Sequence, residues 1–312
     1  MSETEYLSHS RAYVYNKCKK AFSLKYLDKV KPLSGTVYLD SWTRMQRGII
    51  GHSAMEAGFL GENIDDYVRA KFKENADRFG GLSTEQEALA PGMISDSVAV
   101  AKAALEWLPV EQWEPYKLNG KPMVEAKLEL PLPHWKGFIG YADLVARYKP
   151  TGAVYVLDYK FRASFEREDM DKYNSQFALY QKALNELSVP VVGSVLFELK
   201  PTPPARAPRT VREDTGNLNG VRVSADGRFR LTPTHRSREF IDSYWEDFKV
   251  QAKAIANIRP EDAYRSMSGF NCSTCEYERL CMGELRNDDV SAILARHYSV
   301  PREALRVLED LT

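Results

Sequence analysis

Four apolar stretches rich in β-branched and aromatic residues stand out in the middle of the chain, at about 122–131, 138–148, 153–161 and 191–199, and each reads as a strand. Lys149, Pro150, Thr151 and Gly152 separate the second from the third, a turn composition that makes the two a β-hairpin. Residues 154–157 are uniformly apolar, as expected of a strand buried on both faces at a sheet centre. Helical periodicity occupies about 8–28, 42–59, 63–76, 83–107, 169–187 and 236–257, and helical content returns over about 288–311. The helix between the third and fourth strands makes a β-α-β crossover, which sets those two strands parallel. The pattern predicts an α/β fold with a mixed central sheet flanked by helices.

Charge interrupts the apolar strands at one place. Asp143 lies on the first strand of the hairpin, and Asp158 and Lys160 lie near the end of the second. Side chains alternate along a strand, so Asp158 and Lys160 share a face while Tyr159 points away, and a suitable register would bring Asp143 to them. Neighbouring carboxylates repel and are costly to desolvate unless a cation sits between them, and an oxygen-rich pair suits Mg²⁺ or Mn²⁺. Such an ion polarises a phosphodiester and generates hydroxide, while a lysine positions the water or neutralises charge on the phosphoryl oxygens. The three residues therefore point to metal-assisted phosphodiester cleavage. Taken alone, such a triplet is more often a structural salt bridge of Lys160 with Asp143 or Asp158.

Cysteine usage adds a second candidate metal site. The chain has four cysteines, an early Cys18 and the late group Cys272, Cys275 and Cys281, spaced as CxxC followed by five residues and a third Cys. No N-terminal apolar signal and no run long enough to cross a membrane are evident, so the expected setting is the cytoplasm, where thiols stay reduced and bind metal. Spacing alone is equally compatible with zinc and with an iron–sulfur cubane. Either would tie the first helix to the last part of the chain.

The GYAD and DYK strands, with one early Cys and a late CxxCx5C, resemble the RecB-like iron–sulfur branch of the PD-(D/E)XK nuclease superfamily. That branch includes the AddB nuclease domain and the CRISPR-associated and phage RecB-like exonucleases. The likeness runs from Ser8 to Cys281. SHSRAYVYNKCKKAF is similar to the family's opening helix, RGIIGHSAMEAG to its G-x3-H-x3-E helix with Gly48, His52 and Glu56, and YNSQFALYQKAL to its QxxxY motif with Gln176 and Tyr180. The resemblance implies a PD-(D/E)XK core and an Mg²⁺- or Mn²⁺-dependent deoxyribonuclease, acting as an exonuclease in recombination, repair or phage DNA processing. It further implies that His52, Asp143 and Asp158 hold the metal, with the Tyr159 carbonyl as an additional ligand. Lys160 would be the catalytic lysine. Gln176 and Tyr180 would contact DNA and orient the site. Cys18, Cys272, Cys275 and Cys281 would carry a structural [4Fe–4S] cluster, with zinc as the minority alternative. Glu125 occupies a place where relatives often carry an acid, and no ligand role is assigned to it.

Composition sets limits on partners. Lys plus Arg equals Asp plus Glu at 43 each, so any attraction for DNA must come from local patches. Residues 1–31 hold seven Lys or Arg against three acids, and residues 201–238 hold eight Arg against three acids. The second segment reads as a proline-rich stretch and then a hairpin turning at Ala225, Asp226 and Gly227, either an arm beside the DNA path or a solvated insertion. The expected organisation is one nuclease domain over 1–286, with a helical insertion at about 42–115, the basic hairpin arm at about 201–238 and a helical tail over 287–312. No GxxxxGK[ST] segment is present, so processive resection of single-stranded or free-ended DNA would need an external motor, such as a helicase or recombination partner, or a ring-like oligomer. A non-cleaving DNA-binding or assembly subunit with the same fold and cluster is the alternative. The intact Asp143, Asp158 and Lys160 argue against it.

Overall fold

The computed structural model of the chain describes residues 5–33, 39–78, 81–108, 110–166, 174–202 and 220–300, with the backbone alone at residues 39–41, 78 and 270. In chain order the elements that matter are β1 (Tyr6–Ser8), α1 (His9–Lys17), α2 (Leu39–Leu60), α3 (Ile64–Arg78), α4 (Thr84–Trp107), β2 (Trp113–Pro115), β3 (Val124–Leu130), β4 (Gly137–Tyr148) and β5 (Ala153–Phe161). They continue with α5 (Ser175–Glu186), β6 (Val191–Leu199), β7 (Arg222–Val223), β8 (Phe229–Thr234), α6 (Arg238–Ala256), α7 (Glu278–Arg286) and α8 (Val290–His297). The chain forms two compact units, one of residues 1–41, 131–139 and 247–312, the other of 42–130 and 140–246.

The larger unit holds the sheet that the strand pattern predicts. β4 and β5 pair antiparallel, β5 and β6 pair parallel across the α5 crossover, and β8 pairs antiparallel with both β6 and β7. β2 and β3 both pair with β4. Side-chain alternation divides the sheet into an aromatic face and a polar one. On the aromatic face, Trp107 at the end of α4 stacks on Phe197 at 5.8 Å and meets Phe229 at 5.9 Å, while Phe59 of α2 stacks on Tyr159 at 6.3 Å. On the polar face, Asp158, Lys160, Glu198 and Arg230 lie at successive register positions of β5, β6 and β8.

The segment expected as a hairpin arm is a hairpin, but its second strand belongs to this sheet. Phe229 and Leu231 are buried in the core, and the Arg230 guanidinium donates from Nε to Glu198 Oε2 at 2.6 Å. Its basic charge is therefore partly consumed inside the fold rather than displayed along an arm. The proline-rich part at 203–219 lies outside the described residues.

The smaller unit joins distant parts of the sequence. β1 pairs parallel with the first three residues of β4, from Tyr6↔Gly137 to Ser8↔Ile139. The Trp135 indole donates to the Ala252 carbonyl at 3.0 Å, and the Arg11 guanidinium lies over the rings of Tyr26 and Trp135 at 4.7 and 4.9 Å. Leu24, Val30, Tyr277, Leu280, Leu294 and Tyr298 form a separate small core, in which the Tyr277 hydroxyl donates to the Val30 carbonyl at 2.9 Å. The tail helix α8 contributes Leu294 to that core; residues 301–312 lie outside the described residues. One long first helix was expected over 8–28. Instead α1 stops at Cys18, whose extended backbone (φ −163°, ψ 117°) breaks the ladder before a short helical turn and a wider π turn at Ser23–Leu27.

One expectation about apolar runs also changes. Thr84–Trp107 is long and apolar enough to cross a membrane by length and composition, although half of its most apolar window is buried within the protein. A core helix passes the same test, and Val100, Ala101, Ala104 and Trp107 of α4 are buried. Trp107→Ala removes the aromatic contact with both Phe197 and Phe229 and is expected to destabilise the protein by about 3–5 kcal/mol, read from chemical denaturation.

Candidate active site

The polar face of β5 is where the apolar pattern stops and function begins. Val154–Leu157 carry the strand into the core, and Asp158 follows at 1% exposure. The β4–β5 ladder runs to Leu144↔Leu157, a register that sets Asp143 level with Asp158. Beyond that pair the ladder stops, and the Tyr159 N–H donates to Asp143 Oδ2 at 2.6 Å in place of a main-chain acceptor. The Asp143 carboxylate is thereby fixed across the head of the hairpin.

α2 delivers the histidine. His52 Nδ1 lies 3.4 Å from Asp143 Oδ2 and 4.0 Å from Glu125 Oε1. The imidazole meets the rings of Tyr159 and Phe161, each at 6.0 Å between centroids. The close approach depends on Gly51, where an added Cβ would fall 2.2 Å from the Phe161 ring. Gly48, the glycine that the motif singles out, has open space around it. Glu56, one turn beyond His52, takes the hydroxyl of Tyr67 from α3 as its partner.

Glu125 is the residue that sequence reasoning left without a role. Ligand atoms of His52, Glu125 and Asp143 all lie within 4.8 Å of one another, and this is the one such group of three among the described residues. Glu125 has φ +47°, a left-handed backbone that costs a non-glycine residue about 1–2 kcal/mol. Its acidic character before the GYAD strand was the only signal in the sequence. Burial pushes its carboxyl up to about 7, reinforced by Asp143 and opposed by His52.

Asp158 stands beside this trio rather than in it, paired with Lys160 Nζ at 2.7 Å. Nζ approaches off the hydrogen-bonding direction, so buried Asp158 Oδ2 has no well-formed hydrogen bond. Burial raises the Asp158 carboxyl, with Lys160 opposing and Asp143 reinforcing. Burial pulls the Lys160 ammonium down, but Asp158 and Asp143 more than offset it, and the lysine stays charged. His52 follows the same logic: burial lowers it, the Asp143 carboxylate outweighs burial, and the net shift is upward. One imidazole and three carboxylates form a donor set that fits Mg²⁺ or Mn²⁺.

Gln176 and Tyr180 meet on α5, where Gln176 Nε2 donates to the Tyr180 hydroxyl at 2.7 Å. Tyr180 is buried, and burial keeps its phenol protonated, reinforced by the charges of Asp158 and Asp143. In the smaller unit, Cys18, Cys272, Cys275 and Cys281 are all free thiols and half-buried. Burial raises the Cys275 thiol, and the charges of Cys18 and Cys281 add to the effect, so the early cysteine lies within electrostatic reach of the late group. Arg265 Nε donates to Cys281 Sγ at 3.3 Å.

Residues 6–282 match the family model described as the PD-(D/E)XK nuclease superfamily. No curated protein matches the chain. Among solved structures, the chain is similar to a crystal structure from Eubacterium rectale named "Putative exonuclease", at 12% identity and a TM-score of 0.47 over 88% of this chain and 87% of that one.

The titration shifts have a definite sign. Carboxyls raised by the fold, Glu125 and Asp158, bind protons more tightly folded than unfolded, and raised His52 does the same. Their contribution to stability is complete below the unfolded carboxyl range and is lost as pH rises through about 7. Protein stripped with EDTA is therefore expected to melt at a lower temperature at pH 8 than at pH 5.5. Added Mn²⁺ should raise the melting temperature more at pH 8, where its ligands are deprotonated. Differential scanning fluorimetry at both pH values, with and without Mn²⁺, checks both statements.

Proposed function

Because the chain belongs to the PD-(D/E)XK nuclease superfamily, we propose that it is an Mg²⁺- or Mn²⁺-dependent deoxyribonuclease that acts as an exonuclease on DNA with free ends. The observation that carries this reading is the convergence of His52, Glu125 and Asp143 beside the buried Asp158–Lys160 pair. His52, Glu125 and Asp143 would hold the ion, with Asp158 and the Tyr159 carbonyl as further ligands. When bound, a divalent ion supplies Lewis-acid polarisation of the scissile phosphate and a low-pKa water.

The chain's own residues supply the rest. Asp143, fixed by the Tyr159 N–H, holds the histidine beside Glu125. Lys160 keeps its proton on Nζ and neutralises negative charge developing on the phosphoryl oxygens, in a setting dry enough for a single cation to matter. Tyr180 keeps its phenolic proton and is held by Gln176, so it orients the carboxylates from the α5 side while Gln176 faces the DNA strand.

The four cysteines are read as ligands of a structural [4Fe–4S] cluster in a reducing cytoplasm. An external helicase would supply unwinding.

Lys160→Ala is expected to lower Mn²⁺-dependent cleavage of end-labelled single- and double-stranded DNA by about a hundredfold or more while leaving the melting temperature within a few degrees. Equal cleavage by both proteins would remove the catalytic assignment. Anaerobically purified protein is expected to be brown and to lose its visible absorbance in Cys275→Ser. A colourless protein carrying stoichiometric zinc would overturn the cluster.

A further inference from the structure

Beyond Lys160 the polar face of β5 carries one more cation, and nothing in the cleavage chemistry accounts for it. Asp158, Lys160 and Arg162 alternate onto the same face, because the strand geometry continues through Arg162, whose N–H donates to the Leu199 carbonyl at 3.0 Å. Residues two apart on a strand are separated by about 6.6 Å. This repeat is comparable with the distance between successive phosphates along an extended nucleic-acid strand. The side chain of Arg162 is 30% exposed, whereas its partner Glu198 is fully buried.

Glu198 is unusually well supplied. It lies in register with both Lys160 and Arg230, accepts from Arg230 Nε at 2.6 Å and from the Glu166 N–H at 2.8 Å, and lies 3.4 Å from Arg162 Nη1. The Arg230 guanidinium and the Lys200 ammonium also cover the Phe165 ring at 5.0 and 4.7 Å. Arg230 alone neutralises Glu198, so the carboxylate anchors Arg162 without needing its charge. The other partner of Arg162 is Glu166 at 3.1 Å, an i,i+4 pair with both side chains at about one-third exposure. Pairs of this kind are weak and readily exchanged for a better anion. A guanidinium offers five N–H donors in a fork that matches phosphate oxygens.

We infer that Arg162 forms a second phosphate site, binding the backbone phosphate next to the scissile one and so setting the register of the nucleic-acid strand over Lys160. This inference rests on the nuclease reading above. Glu198 and Glu166 are the mount: both hold the guanidinium through Nη1, and the partly exposed side chain keeps its remaining N–H donors for a phosphate.

The test uses end-labelled oligonucleotides in which a single neutral methylphosphonate is moved one phosphate at a time from either end, with Mn²⁺ and the full chain. Wild-type protein is expected to cleave the bond beside the neutral phosphate about tenfold or more slowly, the range of a lost charge-assisted contact. Arg162→Gln is expected to be slowed to a similar degree on all-phosphate DNA and to show no further penalty from the methylphosphonate. Arg162→Lys, which keeps the charge, is expected to keep most of the penalty, and it secures the comparison if Arg162→Gln fails to fold. A wild-type chain indifferent to every neighbouring methylphosphonate, or Arg162→Gln retaining the full penalty, overturns the second phosphate site while leaving the nuclease reading intact. A wild-type chain that cleaves none of the substrates overturns both.

Discussion

The constraint on which the rest of the larger unit depends is the confinement of three carboxylates, Asp143 and Asp158 buried and Glu125 half-buried, at the head of one hairpin. Glu125, Asp143 and Asp158 repel one another across the head of a hairpin whose strand has just left the apolar core. One lysine and one histidine are the compensating charges, and burial works against each of them as well. In water such a group would disperse. Here it is held by the β4–β5 register, by the Tyr159 N–H on Asp143 and by the left-handed backbone at Glu125. The fold thus maintains an arrangement of like charges that a cation among the carboxylates would relieve.

The aromatic face is the counterweight. Tyr159 and Phe161 point away from the charges and pack under α2, with Phe59 stacked on the first and Gly51 making room for the second. That packing fixes the helix against the strand, and His52 is carried to Asp143 as a result. Local periodicity and tertiary chemistry are coupled through the end of a single strand: Tyr159 and Phe161 pack under α2 while Asp158 and Lys160 build the site.

Much of this was legible from residues alone. Period-two alternation and the Lys149–Gly152 turn specified the hairpin and the face shared by Asp158 and Lys160. The largely apolar 191–199 stretch, following a helix, specified a parallel neighbour, found at Val191–Leu199. What could not be read depended on contacts rather than on patterns. A positive φ at Glu125 leaves no trace in a run of strand-forming residues, and its partnership with His52 arises from packing between distant segments. Gly51 looks like any helical glycine until Phe161 is set against it. Cys18 lies inside an unbroken helical pattern, so the chain break there was hidden. The charge run at 201–238 looked like solvated basic surface because Arg230's partner, Glu198, is a residue of another strand.

The smaller unit is assembled from residues 5–33, 131–139 and 247–300, and its internal bonds bridge very long stretches of chain, such as Tyr277 to Val30 and Lys25 to Glu276. Contacts of such separation close late, since the entropy of the intervening loop must be overcome first. On a ribosome, the segment around Cys18 emerges more than 200 residues ahead of the three thiols it lies near. Until then the segment lacks the partners that bury Phe22 and Leu24 in the folded unit. Completion of this unit therefore waits on residues 247–300, the last of its three segments to be made.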